Sequence, residues 1–133
     1  MDEALSTHCK DLERLLGRLK MLTAHDALIL PRSSFSAPKV IHTLRSAPCT
    51  GHPGLDQFDA LLRQGLSHII NIDLSNSHWL QASLPVSDGG LGWRRTASLA
   101  PSDFLASAAG TRLLQNHILS KCSAVLEYNM SDI

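Results

Sequence analysis

The chain has 133 residues, 44% apolar and 18% charged, with eight glycines and six prolines. These proportions describe one ordinary globular domain and exclude a disordered chain or a large multidomain enzyme. Twelve Lys and Arg offset twelve Asp and Glu, so the molecule as a whole lacks the long-range positive field of an autonomous nucleic-acid binder.

From the N-terminus, Leu5, Cys9, Leu12, Leu16 and Leu19 recur at steps of four and three, the stripe of an amphipathic helix. The stripe is too short for a coiled coil and reads as core packing. Thr23 is a cap for a second helix through Ala24 to Leu30, with Asp26 complementing the dipole and Pro31 disturbing the pattern. Ser36, Ala37 and Pro38 signal the start of a third, with Val40, Ile41 and Leu44 inward and Lys39 and Arg45 outward. The stretch from Ala47 to Gly54 collects turn formers and reads as a loop.

Leu55, Phe58, Leu62, Leu66 and Ile69 then predict a long helix at about 54–70. Asp59 and Arg63 are spaced for an i, i+4 pair on its polar side, and Gly65 costs it about 1 kcal/mol. Only His68–Ile72 is locally ambiguous with a strand. Ser75 caps a helix carrying Trp79, Leu80 and Leu84, limited by Pro85, and Asp88 to Gly92 form a turn. Two short helices are expected next, one near Arg94–Leu99 and one capped by Ser102 that buries Phe104, Leu105 and Ala108, split by Pro101. A last one opens at Thr111 with Leu114 and Ile118. The expected fold is all-α, an irregular bundle of six or seven helices.

The chemistry-bearing residues are sparse. Three cysteines at wide spacings, Cys9, Cys49 and Cys122, do not make a disulfide framework. The N-terminus lacks a signal-peptide pattern, and no window approaches roughly 18 uninterrupted apolar residues. An intracellular protein, nuclear or cytoplasmic, is therefore expected. His8 and Cys9 with Cys49 and His52 are the best metal set, but adjacent helical side chains diverge by about 100°, so no metal and no other cofactor is assigned. No nucleophile elbow is present, and Gly89-Gly90-Leu91-Gly92 lacks the Lys-Ser/Thr of a P-loop and reads as a tight turn. The Asp-Asp pair usual for two-metal polymerase chemistry is missing, and Asp56, Asp59 and Asp73 read as solvated. Arg32, Lys39 and Arg45, with Arg94 and Arg95 after the glycines, allow a local basic face within a neutral whole.

The string from Trp79 to Gly92 (WLQASLPVSDGGLG), continued by Ser98-Leu99-Ala100 and Phe104 to Ala109, resembles the region after the polymerase core in reverse transcriptases of LINE-type (non-LTR) retrotransposons. Upstream, Asp26 to Leu30, Phe35 to Val40, and His42-x-Leu44-Arg45 look like that family's segment leading into the thumb. The resemblance covers about residues 11–122, departs at Trp93, where the family usually has a β-branched residue, and leaves 123–133 as an unmatched tail. It implies a thumb-like helical and connector region of an RNA-directed DNA polymerase without its palm, inactive by itself. Such a region would position a template–primer duplex through sugar and phosphate contacts. The resemblance makes Lys39 and Arg45 the first candidates for nucleic-acid binding, then Arg32, Arg94 and Arg95. Expected partners are an RNA–DNA or DNA duplex, bound weakly, and the remainder of the polymerase, with no membrane. The rival expectation is a small helical interaction module with no nucleic-acid role, dimerising through an apolar face for which Leu5, Leu12, Leu16 and Leu19 are the obvious stripe.

Overall fold

The computed structural model describes residues 2–35 and 37–131, apart from the side chains of 35–37 and 123–131. Six α-helices follow one another in this range: α1 (Asp2–Leu19), α2 (Ala24–Leu30), α3 (Ala37–Ser46), α4 (Pro53–Ile70), α5 (Asn76–Ala82) and α6 (Thr96–Ser131). A π-helical turn, Pro31–Phe35, follows α2, and a 3-10 turn, Val86–Asp88, follows α5. The fold is all-α, and the described residues form no strand. None of the described helices is long and apolar enough to cross a membrane.

The local signals act where the sequence places them. Thr23 accepts from the Asp26 amide at 3.3 Å and Ser75 from the His78 amide at 3.3 Å, each supplying an acceptor to an orphan donor of the first turn. Pro31, which has no amide hydrogen, widens the chain into the π-helical turn, where Ser33 Oγ donates to the Ile29 carbonyl at 3.1 Å. At the end of α4, Asn71 turns left-handed (φ 54°) and its amide donates to the Ser67 carbonyl, which settles the ambiguous 68–72 stretch as a helix end. The start signal read at Ser36 lies outside the described residues.

α4 is the central element. Its Leu55, Phe58, Leu62 and Leu66 are buried together with Leu5, Cys9 and Leu12 of α1, Val40 and Leu44 of α3, and Trp79 and Ala82 of α5. Each fully buried Leu or Phe gains about 1.5–3 kcal/mol relative to exposure, before the entropy of ordering is subtracted. A Cβ on Gly65 would overlap the Leu16 side chain, so this glycine permits the close approach of α1 to α4. The α1 stripe is thereby committed to the core. Leu5, Leu12 and Leu19 are buried and Leu16 packs against that core, so they are not the exposed face that dimerisation through them would need.

The largest departure from expectation is α6. The three short helices expected between Arg94 and Ile118 are one helix, which continues through the unmatched tail to Ser131. Pro101 is its sixth residue and removes a single i to i−4 bond without ending it. Ser102 and Thr111, read as caps of new helices, instead donate backwards. Ser102 Oγ reaches the Leu99 carbonyl at 3.0 Å and Thr111 Oγ1 the Ser107 carbonyl at 2.9 Å, the bonds hydroxyls make inside a helix. The first turns pack against α3 and α4, with Ala100 buried, whereas Phe104 and Ala108 are only half-buried and Leu105, expected inward, is exposed because it falls on the face turned away from those helices. From Ala109 to Cys122 every residue is exposed, Leu113 by 85%.

Candidate nucleic-acid interface

α3 separates the expected basic residues by its own periodicity. Val40 and Leu44 face the core, leaving Lys39, His42 and Arg45 exposed at steps of three. On the α6 side of α3, Arg32 and Arg94 line a cleft of about 410 Å³ with Pro38, Ile41, Val86 and Leu99. Asp103 also lines it, and its Oδ2 is shielded from solvent with no hydrogen-bond partner among the described residues. Two guanidiniums therefore face one carboxylate over a partly apolar floor. Among the described residues, none of Arg32, Lys39, Arg45 and Arg94 makes an ion pair, which leaves these cations available to an external anion.

The glycine turn holds this cleft in shape. Gly92 (φ 74°) lets the Arg32 stem lie across it, since a Cβ there would come within 2.9 Å of Arg32 Cδ. Gly90 N donates to the Pro85 carbonyl at 3.0 Å, Leu91 N to Ala82 at 3.1 Å and Gly92 N to Leu84 at 2.9 Å. With these amides satisfied by the carbonyls of Ala82, Leu84 and Pro85, the loop has few donors left for a phosphate cradle. Trp93, fully buried, anchors the turn by donating from Nε1 to the Leu28 carbonyl at 3.2 Å.

The five expected contact residues do not share one site. Lys39 lines a second cleft, on the α1 side of its helix. Arg45 is exposed two turns further along α3. Arg95 is half-buried, its Nε is shielded without a partner, and its charge acts on Asp59. Asp59 itself is a correction: it is only 8% exposed and does not pair with Arg63. Its carboxylate accepts from Thr96 N and Thr96 Oγ1, both at 2.7 Å, and from Ala97 N at 3.0 Å. Arg63 instead donates to Asn76 Oδ1 at 2.8 Å and to the Leu74 carbonyl.

The four candidate metal ligands are engaged separately. Cys49 Sγ donates to the Ala47 carbonyl at 3.2 Å, and Cys9 Sγ lies 3.9 Å from the Gly54 carbonyl. His52 caps α4 by accepting from Gly54 N at 2.9 Å through Nδ1, with Nε2 2.5 Å from Asp2 Oδ1. No group of three or more His, Cys, Asp or Glu side chains among the described residues could hold a metal ion. Both buried thiols, Cys9 and Cys49, are pushed up in pKa by burial, which keeps them protonated and unreactive.

Arg14 and Arg18 carry no sequence signal of a site. They sit four residues apart on α1, an ordinary solvated spacing, and gain meaning only because α3 brings Lys39 beside them. No protein-family model matches the chain, and no curated protein or solved structure is significantly similar to it.

Proposed function

We propose that this chain is a non-catalytic, thumb-like helical region of a retrotransposon-derived RNA-directed DNA polymerase, one that positions a template–primer duplex by its sugar–phosphate backbone. The observation that carries this reading is the set of unpaired cations along and beside α3. Lys39 and Arg45 are exposed on the helix, and Arg32 and Arg94 stand over the cleft on its flank. Cations that contact sugar and phosphate fix register on a duplex without reading bases. The resemblance of Trp79 to Gly92 adds the identity of the larger enzyme. Catalysis belongs to a palm whose Asp-Asp pair this sequence lacks. An RNA–DNA context puts the chain in the nucleus or cytoplasm, a setting in which the buried thiols Cys9 and Cys49 stay reduced.

Binding of an RNA–DNA hybrid, followed by fluorescence anisotropy across a salt series, tests this. Each phosphate contact contributes about 0.9 to the slope of log affinity against log salt on duplex DNA. A triple Arg32→Gln, Lys39→Gln, Arg94→Gln variant is expected to flatten the slope by about 2–3. Salt-independent binding, or an unchanged slope in the variant, overturns the proposal.

A second reading, a self-associating interaction module, is favoured by one feature. Beyond its packed first turns, α6 exposes Leu105, Leu113, Leu114 and Ile118 around the helix rather than along one stripe. Large apolar side chains exposed in such number on one segment, even interspersed with Arg112, Gln115 and Lys121, mark a surface suited to a partner. Self-association through it predicts a dimer in sedimentation at micromolar concentration that dissociates in a Leu113→Glu, Ile118→Glu variant. A monomer in both chains removes this reading.

A further inference from the structure

The cleft between α1 and α3 is a second basic site with its own composition. His8, Asp11, Arg14 and Arg18 follow one another at steps of three, three and four on a single flank of α1, and Lys39 reaches the same space from α3. The cleft measures about 240 Å³, room for about eight waters at roughly 30 Å³ each, or for a phosphate group with part of its hydration shell. Three permanent cations face one carboxylate, and among the described residues no ion pair joins any of them to Asp11 or to another acid.

His8 adds an unsatisfied donor. Its Nε2 lies 3.4 Å from Thr43 Oγ1, and its Nδ1 is shielded from solvent without a hydrogen-bond partner. In the tautomer that lets Nε2 accept from the threonine hydroxyl, Nδ1 carries the proton and has no acceptor. Burial, and next the nearby Lys39 charge, lower the imidazole pKa, so the ring is neutral near pH 7 and does not add a fourth cation. Three cations lining one cleft are complementary to an oxyanion with several acceptor oxygens.

We propose that the cleft formed by His8, Arg14, Arg18 and Lys39 is an anion site that takes a phosphate group. Arg14 and Arg18 supply planar donors matched to phosphate oxygens and Lys39 a point charge from α3, while the His8 ring forms part of the wall. Asp11 opposes the anion and limits affinity. The group is either a free phosphate or a backbone phosphodiester, which share this chemistry. The site stands without the polymerase reading, although a duplex crossing α3 would supply the same group.

The test uses the full chain and two probes, inorganic phosphate and a short RNA–DNA hybrid, with the His8 ring signals in NMR spectra as reporter. Phosphate is expected to shift the His8 signals saturably. Arg18→Gln or Lys39→Gln should weaken that binding about five- to tenfold, the loss of one charge-assisted contact. Asp11→Asn should tighten it about threefold, the removal of one like charge at ~6 Å in a water-like medium. This gain cannot be mimicked by a misfolded variant. Phosphate binding that the hybrid displaces identifies a phosphodiester seat. Phosphate binding that the hybrid leaves untouched identifies a free phosphate, and both results uphold the site. His8 signals unmoved by phosphate, or an affinity unchanged by Asp11→Asn, overturn it. Should the hybrid still bind in that case, the nucleic-acid reading survives without this site.

Discussion

Replacing Trp93 by alanine is expected to destabilise the protein by about 3–5 kcal/mol, the cost of a cavity left by a large aromatic ring. Trp93 is completely buried in the cluster that also holds Phe58, Leu62 and Trp79. Its ring nitrogen and its backbone tie three segments together. Nε1 donates to Leu28 of α2, while its amide bonds the Ala82 carbonyl of α5 at 3.3 Å, and α6 begins three residues later. Against a total stability of about 5–15 kcal/mol for a natural domain, the loss leaves a marginal fold. Trp93→Phe keeps much of the ring volume and forfeits the Leu28 bond, so a smaller loss is expected, of which the bond is about 1 kcal/mol. Urea unfolding followed by circular dichroism measures both, and a Trp93→Ala loss below 1 kcal/mol would show that the ring does not pack in the core. The consequence reaches the candidate interface: Gly92 and Arg94 flank this residue, so under the proposed function Trp93→Ala should also lose duplex binding, whereas Trp93→Phe should retain it.

The same residue shows what the sequence could and could not disclose. In the sequence Trp93 is a lone aromatic after a glycine turn, outside any apolar periodicity, and only the fold shows that the position is core. Elements whose cause is local were legible. α1 and α4 follow from apolar steps of three and four, and α2 and α5 from Thr23 and Ser75, whose partners are three residues away. The continuity of α6 was not legible, because Ser102 and Thr111 have the residue types of caps, and only their hydroxyl geometry shows them bonding backwards. Lys39 was legible as an exposed cation on the polar side of a short helix. Its association with Arg14 and Arg18 depends on α1 packing beside α3, a contact between segments more than twenty residues apart that no periodicity encodes.

Asp59 is the case in which a local rule pointed to the wrong partner, and its removal carries the second large effect. The i, i+4 spacing suggests Arg63, but the carboxylate turns inward and caps α6 from across the core, 37 residues away. Asp59→Ala strands the Thr96 and Ala97 amides at the start of a helix. At about 1–3 kcal/mol for each unsatisfied buried donor, a loss of roughly 3–4 kcal/mol is expected. Asp59→Asn keeps one acceptor oxygen and places an amide group where Ala97 N needs the other, so a smaller loss is expected. The pH dependence separates the two roles of the carboxylate. Burial raises its pKa above the ordinary aspartate value, and the bonds from Thr96 and Ala97 together with the Arg95 charge only partly oppose this. Because the folded pKa lies above the unfolded one, the stability linked to this group is fully present below the unfolded pKa. It is lost as pH rises through the raised folded value. Asp59→Asn has no such group, so its deficit against the parent chain should be largest in acid and should narrow as pH rises toward neutrality. Thermal midpoints of the two chains between about pH 3 and 7 decide this, over the range that starts near the ordinary aspartate pKa of about 3.9. A parent chain that instead gains on Asp59→Asn with rising pH would mean that the three hydrogen bonds to the carboxylate outweigh its desolvation.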